Sequence, residues 1–235
     1  MNKMSLDDII SHLKWEKVNS IEEADVVYSP SAPLNAEAHP DKQFIFGPHF
    51  SVFPNSMARG ISGKKKNAIY IQPSQPSVDT WVELKFIKQF IESKGLKYET
   101  VVYGSYKEEN YQKQLDRAKY VIWHGRHESQ GFALESVMCK NIPLLVWGVK
   151  LRNQEYPCPG NYRDVKSEVS TVPYWSDSCG ELFFNSNELD SSYEKFIENL
   201  DNYSPREFIE KTLTVDTCSK RLMDLVDEIK VNQEV

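Results

Sequence analysis

Apolar positions along the chain follow two alternating rhythms. Leu6, Ile9, Ile10 and Leu13 recur at i, i+3, i+4 and i+7, with Ser5 in front as a cap, which predicts a first amphipathic helix. Short apolar runs at Ala24–Tyr28 and Gln43–Phe46 read as strands, each stopped by a proline-containing turn. The polar stretch Pro54–Lys66, with Gly60 and Gly63, reads as a linker between lobes. From there the order becomes regular: strand Ala68–Gln72, helix Asp79–Lys94 stopped by Gly95 at C′, strand Tyr98–Tyr103, helix Lys107–Lys119, strand Tyr120–Trp123. A helix capped by Ser129 and carrying Leu134, Val137 and Met138 inward follows, then Pro143 and the apolar strand Leu144–Trp147. After the long polar loop Arg152–Ser170 come a short strand at Glu181–Asn185 and helices at Leu189–Leu200, Pro205–Leu213 and Val215–Ile229. Strands alternating with helices predict an α/β fold with a parallel sheet covered on both faces.

Composition narrows the class. A formal net charge of −6 argues against a general nucleic-acid binder. Lys64–Lys66 is the one dense basic run and reads as a solvated loop. The opening segment carries Asp7, Asp8 and Lys14 where a signal peptide needs an unbroken apolar region. No window approaches the ~20 apolar residues of a membrane span, so a cytoplasmic protein without a transmembrane segment is expected. Cys139, Cys158, Cys179 and Cys218 are too scattered for a CxxC zinc or redox motif and are expected to be reduced. No DxD-type acidic cluster marks a divalent-metal site, and no cofactor is expected.

The chemistry concentrates between Tyr120 and Val149, in YVIWHGRHESQGFALESVMCKNIPLLVWGV. In open α/β sheets, ligands sit at the carboxyl ends of strands, where helix N-termini point. The backbone N–H groups around Gln130, Gly131 and Phe132 open a helix and favour a phosphate. Gly131 allows a ligand close to the backbone. Arg126 offers a planar fork of donors for phosphate oxygens. His124 and His127 can donate, accept or transfer a proton near neutral pH. Glu128 repels phosphate and fits better as an acceptor for sugar hydroxyls. The same residues also fit a plain turn in which Arg126 and Glu128 pair and the histidines cap neighbours.

The segment HESQGFALESVMCKNIPLLVW resembles the signature of retaining glycosyltransferases of the GT-B fold, family 4 (glycosyl transferases group 1). Glu128, Gly131, Pro143 and the strand Leu144–Trp147 match that signature in order. The resemblance implies that Glu128 contacts a donor sugar, that Ser129–Phe132 with His127 hold the diphosphate, and that a second Glu binds the ribose. The family spaces its two glutamates by eight residues, whereas here Glu135 follows Glu128 by seven and Ser136 stands at the eighth place. On a helix Glu135 lies within about 20° of Glu128 and Ser136 about 80° away, so either can meet a ribose hydroxyl. FGPHFSVFP, Phe46–Pro54, resembles a segment of the first lobe and would put His49 near the cleft. A histidine satisfied by backbone after a Gly-Pro turn fits equally. VYGSYKEENY, Val102–Tyr111, matches the strand–loop–helix that holds the nucleobase, through Gly104, Ser105 and the ring of Tyr103 or Tyr106, although a plain strand-to-helix turn fits as well. STVPYWSDSCGELFF, Ser170–Phe184, falls where members carry a loop beside the donor, with Tyr174, Trp175 and Asp177 as candidates.

The resemblance therefore implies a Rossmann-like parallel sheet of GT-B type with a reduced N-terminal lobe at residues 1–62, a nucleotide-sugar-binding lobe at 63–187 and C-terminal helices at 188–235. It implies a glycosyltransferase moving sugar from a nucleotide-sugar, UDP- or GDP-linked, to a glycan or other hydroxyl acceptor. Glu128, Arg126 and His49 would serve the reaction, with Arg126 neutralising leaving-group charge and no metal required. The alternative is a shortened relative that binds a nucleotide, glycan or protein partner without transferring anything. A lobe of about 60 residues buries little on its own and must pack on the larger lobe or on a second copy of the chain.

Overall fold

The computed structural model describes residues 26–28, 43–45, 67–72, 78–102, 105–125, 127–128, 131–151 and 168–233. By its contacts the chain divides into two compact units, Met1–Pro54 with Lys211–Val235 and, between them in sequence, Asn55–Glu210. In the first unit, β1 (Val26–Tyr28) pairs in parallel with β2 (Gln43–Ile45).

The second unit is built on a five-stranded parallel sheet. Its strands are β3 (Asn67–Gln72), β4 (Tyr98–Val102), β5 (Ala118–His124), β6 (Leu144–Trp147) and β7 (Gly180–Phe183), in the spatial order β4-β3-β5-β6-β7. Among the described residues, four α-helices lie wholly within this unit: α1 (Val78–Ser93), α2 (Glu108–Leu115), α3 (Phe132–Cys139) and α4 (Leu189–Glu198). Next come α5 (Pro205–Thr212), which spans the division at Glu210, and α6 (Val215–Gln233), which belongs to the first unit.

Both faces of the sheet are covered, and the strand residues sort accordingly. Tyr120, Ile122, Leu145, Trp147 and Phe183 pack with Leu84, Ile87, Phe90 and Ile91 of α1 and with Leu189, Tyr193 and Phe196 of α4. The alternate residues Val121, Trp123, Leu144 and Val146 are also buried and face the other way. Right-handed crossovers place α2 and α3 on that second face. Tyr111 of α2 meets α3 there, its hydroxyl donating to Ala133 O at 2.7 Å.

The α/β reading with a Rossmann-like parallel sheet holds. Gly95 ends α1 as expected: it sits at φ +65, its N–H donates to Glu92 O at 2.9 Å and the Leu96 N–H to Ile91 O at 3.2 Å. Three expectations need correction. The helix read over Lys107–Lys119 stops at Leu115; Asp116 caps it, and Ala118 is already paired with Asn67 in the sheet. Strand pairing with β3 outweighs the helical spacing of Tyr111, Leu115 and Ala118. His124 is the last residue of β5 rather than part of the loop. The helix after it begins at Phe132, with Gly131 as its N-cap in the place expected of Ser129, which itself lies outside the described residues.

Cys139, Cys179 and Cys218 are buried thiols outside any disulfide; Cys158 lies outside the described residues. Burial pushes the Cys139 thiol up to about 12 and Cys179 to about 11. Both stay protonated at neutral pH, which is the wrong state for a nucleophile.

Candidate functional site

The order of the strands fixes where a ligand belongs. From β3 the chain leaves through α1 to β4 on one side, then crosses back to β5 on the other side of β3. The carboxyl ends of β3 and β5 therefore flank a topological switch point, the place where open α/β sheets take ligands. The loop that the sequence marked out, from Gly125 to Gly131, leaves β5 at this point.

His124 closes the strand from below. It is 5 % exposed, and its Nε2 lies 2.8 Å from Glu83 Oε2 on α1. Its ring meets that of Trp147 edge-on at 5.5 Å. Its Nδ1 has no hydrogen-bond partner among the described residues. His124 thus anchors the base of the loop to α1. His127 and Glu128 are half-buried in the loop itself.

A second segment runs alongside. The Glu128 N–H donates to Ser170 O at 3.0 Å. Thr171 is buried, and its Oγ1 accepts the Val149 N–H at 2.9 Å. Gly125 is pressed between this segment and the strand: a Cβ there would lie 2.5 Å from Trp123 Nε1 and 2.8 Å from Thr171 Cγ2. Pro173 backs Gly131, 3.6 Å from where its Cβ would be. Residues 168–173 therefore act as a strap that presses the loop onto the sheet.

At the helix start, Gly131 is left-handed, at φ 76 and ψ 35. That backbone shape disfavours any residue with a Cβ. Gly131, the N-cap of α3, has no side chain to offer the first N–H groups of the helix. The Glu135 N–H bonds back to Gly131 O at 2.8 Å. Glu135 is 1 % exposed and Ser136 is buried, with the Ser136 hydroxyl donating to Phe132 O of its own helix at 2.9 Å. The Phe132 ring is more than half exposed at the mouth of the turn.

The other predicted half of the site lies one strand beyond β3. An open pocket of about 620 Å³ borders edge strand β4 and the start of α2. Ser105 and Tyr106 line it with Thr100, Lys107, Asn110 and Gln114. The structure thus brings Ser105 and Tyr106 to one pocket, and His127, Glu128, Gly131 and Phe132 to one loop and helix start. His49, Gly104, Arg126, Ser129 and Gln130 lie outside the described residues, as does Lys64–Lys66. Of the loop candidates, Tyr174 and Trp175 are half-buried and Asp177 opens a short 3₁₀ turn capped by Ser176. Among the described residues no group of three His, Cys, Asp or Glu side chains could hold a metal ion, and no helix is long and apolar enough to cross a membrane.

Local spacing did not reveal Glu83, Thr171 or Tyr111. Each acts through a contact with a residue more than twenty positions away.

Neither a family model nor a curated protein sequence matches the chain. Solved structures do. The G117R mutant of S. aureus TarM, in complex with fondaparinux, alpha-GlcNAc-glycerol and UDP, matches with a TM-score of 0.52 and 13 % identity, over 87 % of this chain and 44 % of that one. A further structure of TarM gives 0.51, with the same identity and the same coverage. The pneumococcal O-GlcNAc transferase GtfA, in complex with UDP and GlcNAc, gives 0.48 and 11 % identity, over 88 % of this chain and 46 % of its own. The chain thus spans less than half the length of these proteins. The likeness to TarM shows the fold: an α/β chain with the Rossmann-like parallel sheet of GT-B type.

Proposed function

We propose that this chain is a glycosyltransferase that binds a UDP-sugar at the switch point of its sheet and transfers the sugar to a glycan hydroxyl. The observation that carries the reading is the strapped turn after β5, which delivers the start of α3, with Gly131 as its N-cap, to the carboxyl end of that central strand. Fixed N–H donors at such a position suit the charge that builds on a departing diphosphate. The shared fold with TarM, one of whose structures holds UDP, supports uracil as the base.

In this reading, the N–H groups at the start of α3 hold the diphosphate and Arg126 neutralises its charge. Ser129 and Gln130 add donors, His127 borders the phosphates, and Glu128 orients the sugar. Glu135 and Ser136 both stay candidates for the ribose: the Ser136 hydroxyl donates to Phe132 O and can still accept, and Glu135 is buried. The turn at Gly104–Tyr106 takes the base. His49 stays a candidate on the strength of the motif Phe46–Pro54 alone. The transfer proceeds without a metal, as expected of the family 4 enzymes that the motif resembles.

Thermal melting with millimolar UDP, GDP and ADP is the first test. Saturation at about a hundred times Kd adds about 2.7 kcal/mol, a shift of several degrees. Absence of any shift with all three nucleotides sinks the donor site. Transfer or hydrolysis of UDP-sugars should then be lost in Arg126→Ala. The second reading, a binding protein without transfer, is favoured by the seven-residue spacing of Glu128 and Glu135 where the resembled family has eight; UDP binding without turnover would support it.

A further inference from the structure

One buried side chain connects the two halves of the proposed site. Tyr111 of α2 is fully shielded from solvent. Its hydroxyl donates to Ala133 O, in the first turn of α3, at 2.7 Å. Its ring lies against that of Tyr106, with centroids 4.9 Å apart and planes at 41°. Tyr106 lines the open pocket with Ser105 and Lys107. A single rigid group therefore touches both the turn assigned to the base and the helix start assigned to the phosphates.

A tyrosine has only two side-chain torsions, and burial with a bonded hydroxyl holds both. The bond ends on the α3 backbone itself, so it ties down the helix and not merely one of its side chains. A ligand that occupies only one half gains nothing from such a tie. A ligand that spans both gains, because the distance between its two subsites is set before it arrives.

We infer that Tyr111 is a positioning residue that fixes the span between the Ser105–Lys107 turn and the start of α3, so that the site selects a nucleoside diphosphate over a free nucleoside or free pyrophosphate. The inference rests on the donor-site reading above.

Tyr111→Phe keeps the ring against Tyr106 and removes the bond to Ala133. Calorimetry on the full chain should give a Kd for UDP weakened about fivefold, the worth of one net hydrogen bond, while uridine and inorganic pyrophosphate change by less than about twofold. A UDP-to-uridine affinity ratio unchanged within about twofold overturns the inference, and so does a uniform weakening of all three ligands, the mark of a general structural role. A wild-type chain that binds no UDP overturns the donor-site reading itself, and this inference with it. If the variant does not fold, the wild-type chain still decides. A preset span predicts that UMP binds about tenfold more weakly than UDP and that UTP binds no more tightly; a steady gain with each added phosphate overturns it.

Discussion

The starts of α2 and α3 are both strand-to-helix turns at the carboxyl edge of one sheet, and neither N-cap residue, Lys107 or Gly131, makes a side-chain cap bond. They are built to opposite plans. The turn into α3 is closed: Gly125 has no room for a Cβ, Gly131 is backed by Pro173, and the Glu128 N–H is bonded to Ser170 O. The turn into α2 is open, with Lys107 extended at the N-cap and Asn110 and Gln114 facing a pocket of about 620 Å³. A seat for phosphate gains from fixed donors, because reorganising dipoles around a charge costs free energy when the charge arrives. A seat for a base selects by shape and needs space. The contrast teaches that rigidity in this unit is placed where charge is expected.

Substitutions can break that contrast. Gly125→Val should have the largest effect, since the new side chain would overlap Trp123 and Thr171; a loss of about 3 kcal/mol in denaturant melts is expected, and wild-type stability would show that the turn is not closed. Gly131→Ala meets only ordinary contacts but must adopt a left-handed backbone, so about 1–2 kcal/mol of stability should go, together with much of the UDP affinity. Thr171→Val leaves the Val149 N–H without its acceptor and should cost about 1 kcal/mol, read in the same melts. In the open half, Asn110→Ala should stay within about 0.5 kcal/mol of wild type and weaken uridine and UDP alike while leaving inorganic pyrophosphate unchanged, measured by calorimetry. An Asn110 variant as unstable as Gly125→Val would erase the difference between the two turns.

Much of the sheet was legible in the sequence. The unbroken apolar runs at Tyr120–Trp123 and Leu144–Trp147 read as parallel strands buried on both faces, and they are. Gly95 marked the end of α1 through its own backbone preference. The errors fall where local preference loses to pairing. Ala118 and Lys119 suit a helix, yet both belong to β5, where Ala118 pairs with Asn67 of β3. Ser129 is a good cap by composition, yet Gly131 supplies the turn into α3. The candidate site was legible as a loop and a helix start, and illegible as a scaffold. Glu83 and His124 stand 41 residues apart and Tyr111 and Ala133 stand 22 apart, distances over which no periodicity speaks.

The division of the chain has a consequence for its biogenesis. The sheet unit is one continuous stretch, Asn55–Glu210, so all of its strands emerge in order during synthesis and can assemble as they appear. The other unit joins Met1–Pro54 to Lys211–Val235, so its earliest residues must wait for its latest. The sheet unit can thus form from contacts within one stretch, while the other unit closes only when two segments separated in sequence by the whole sheet unit meet.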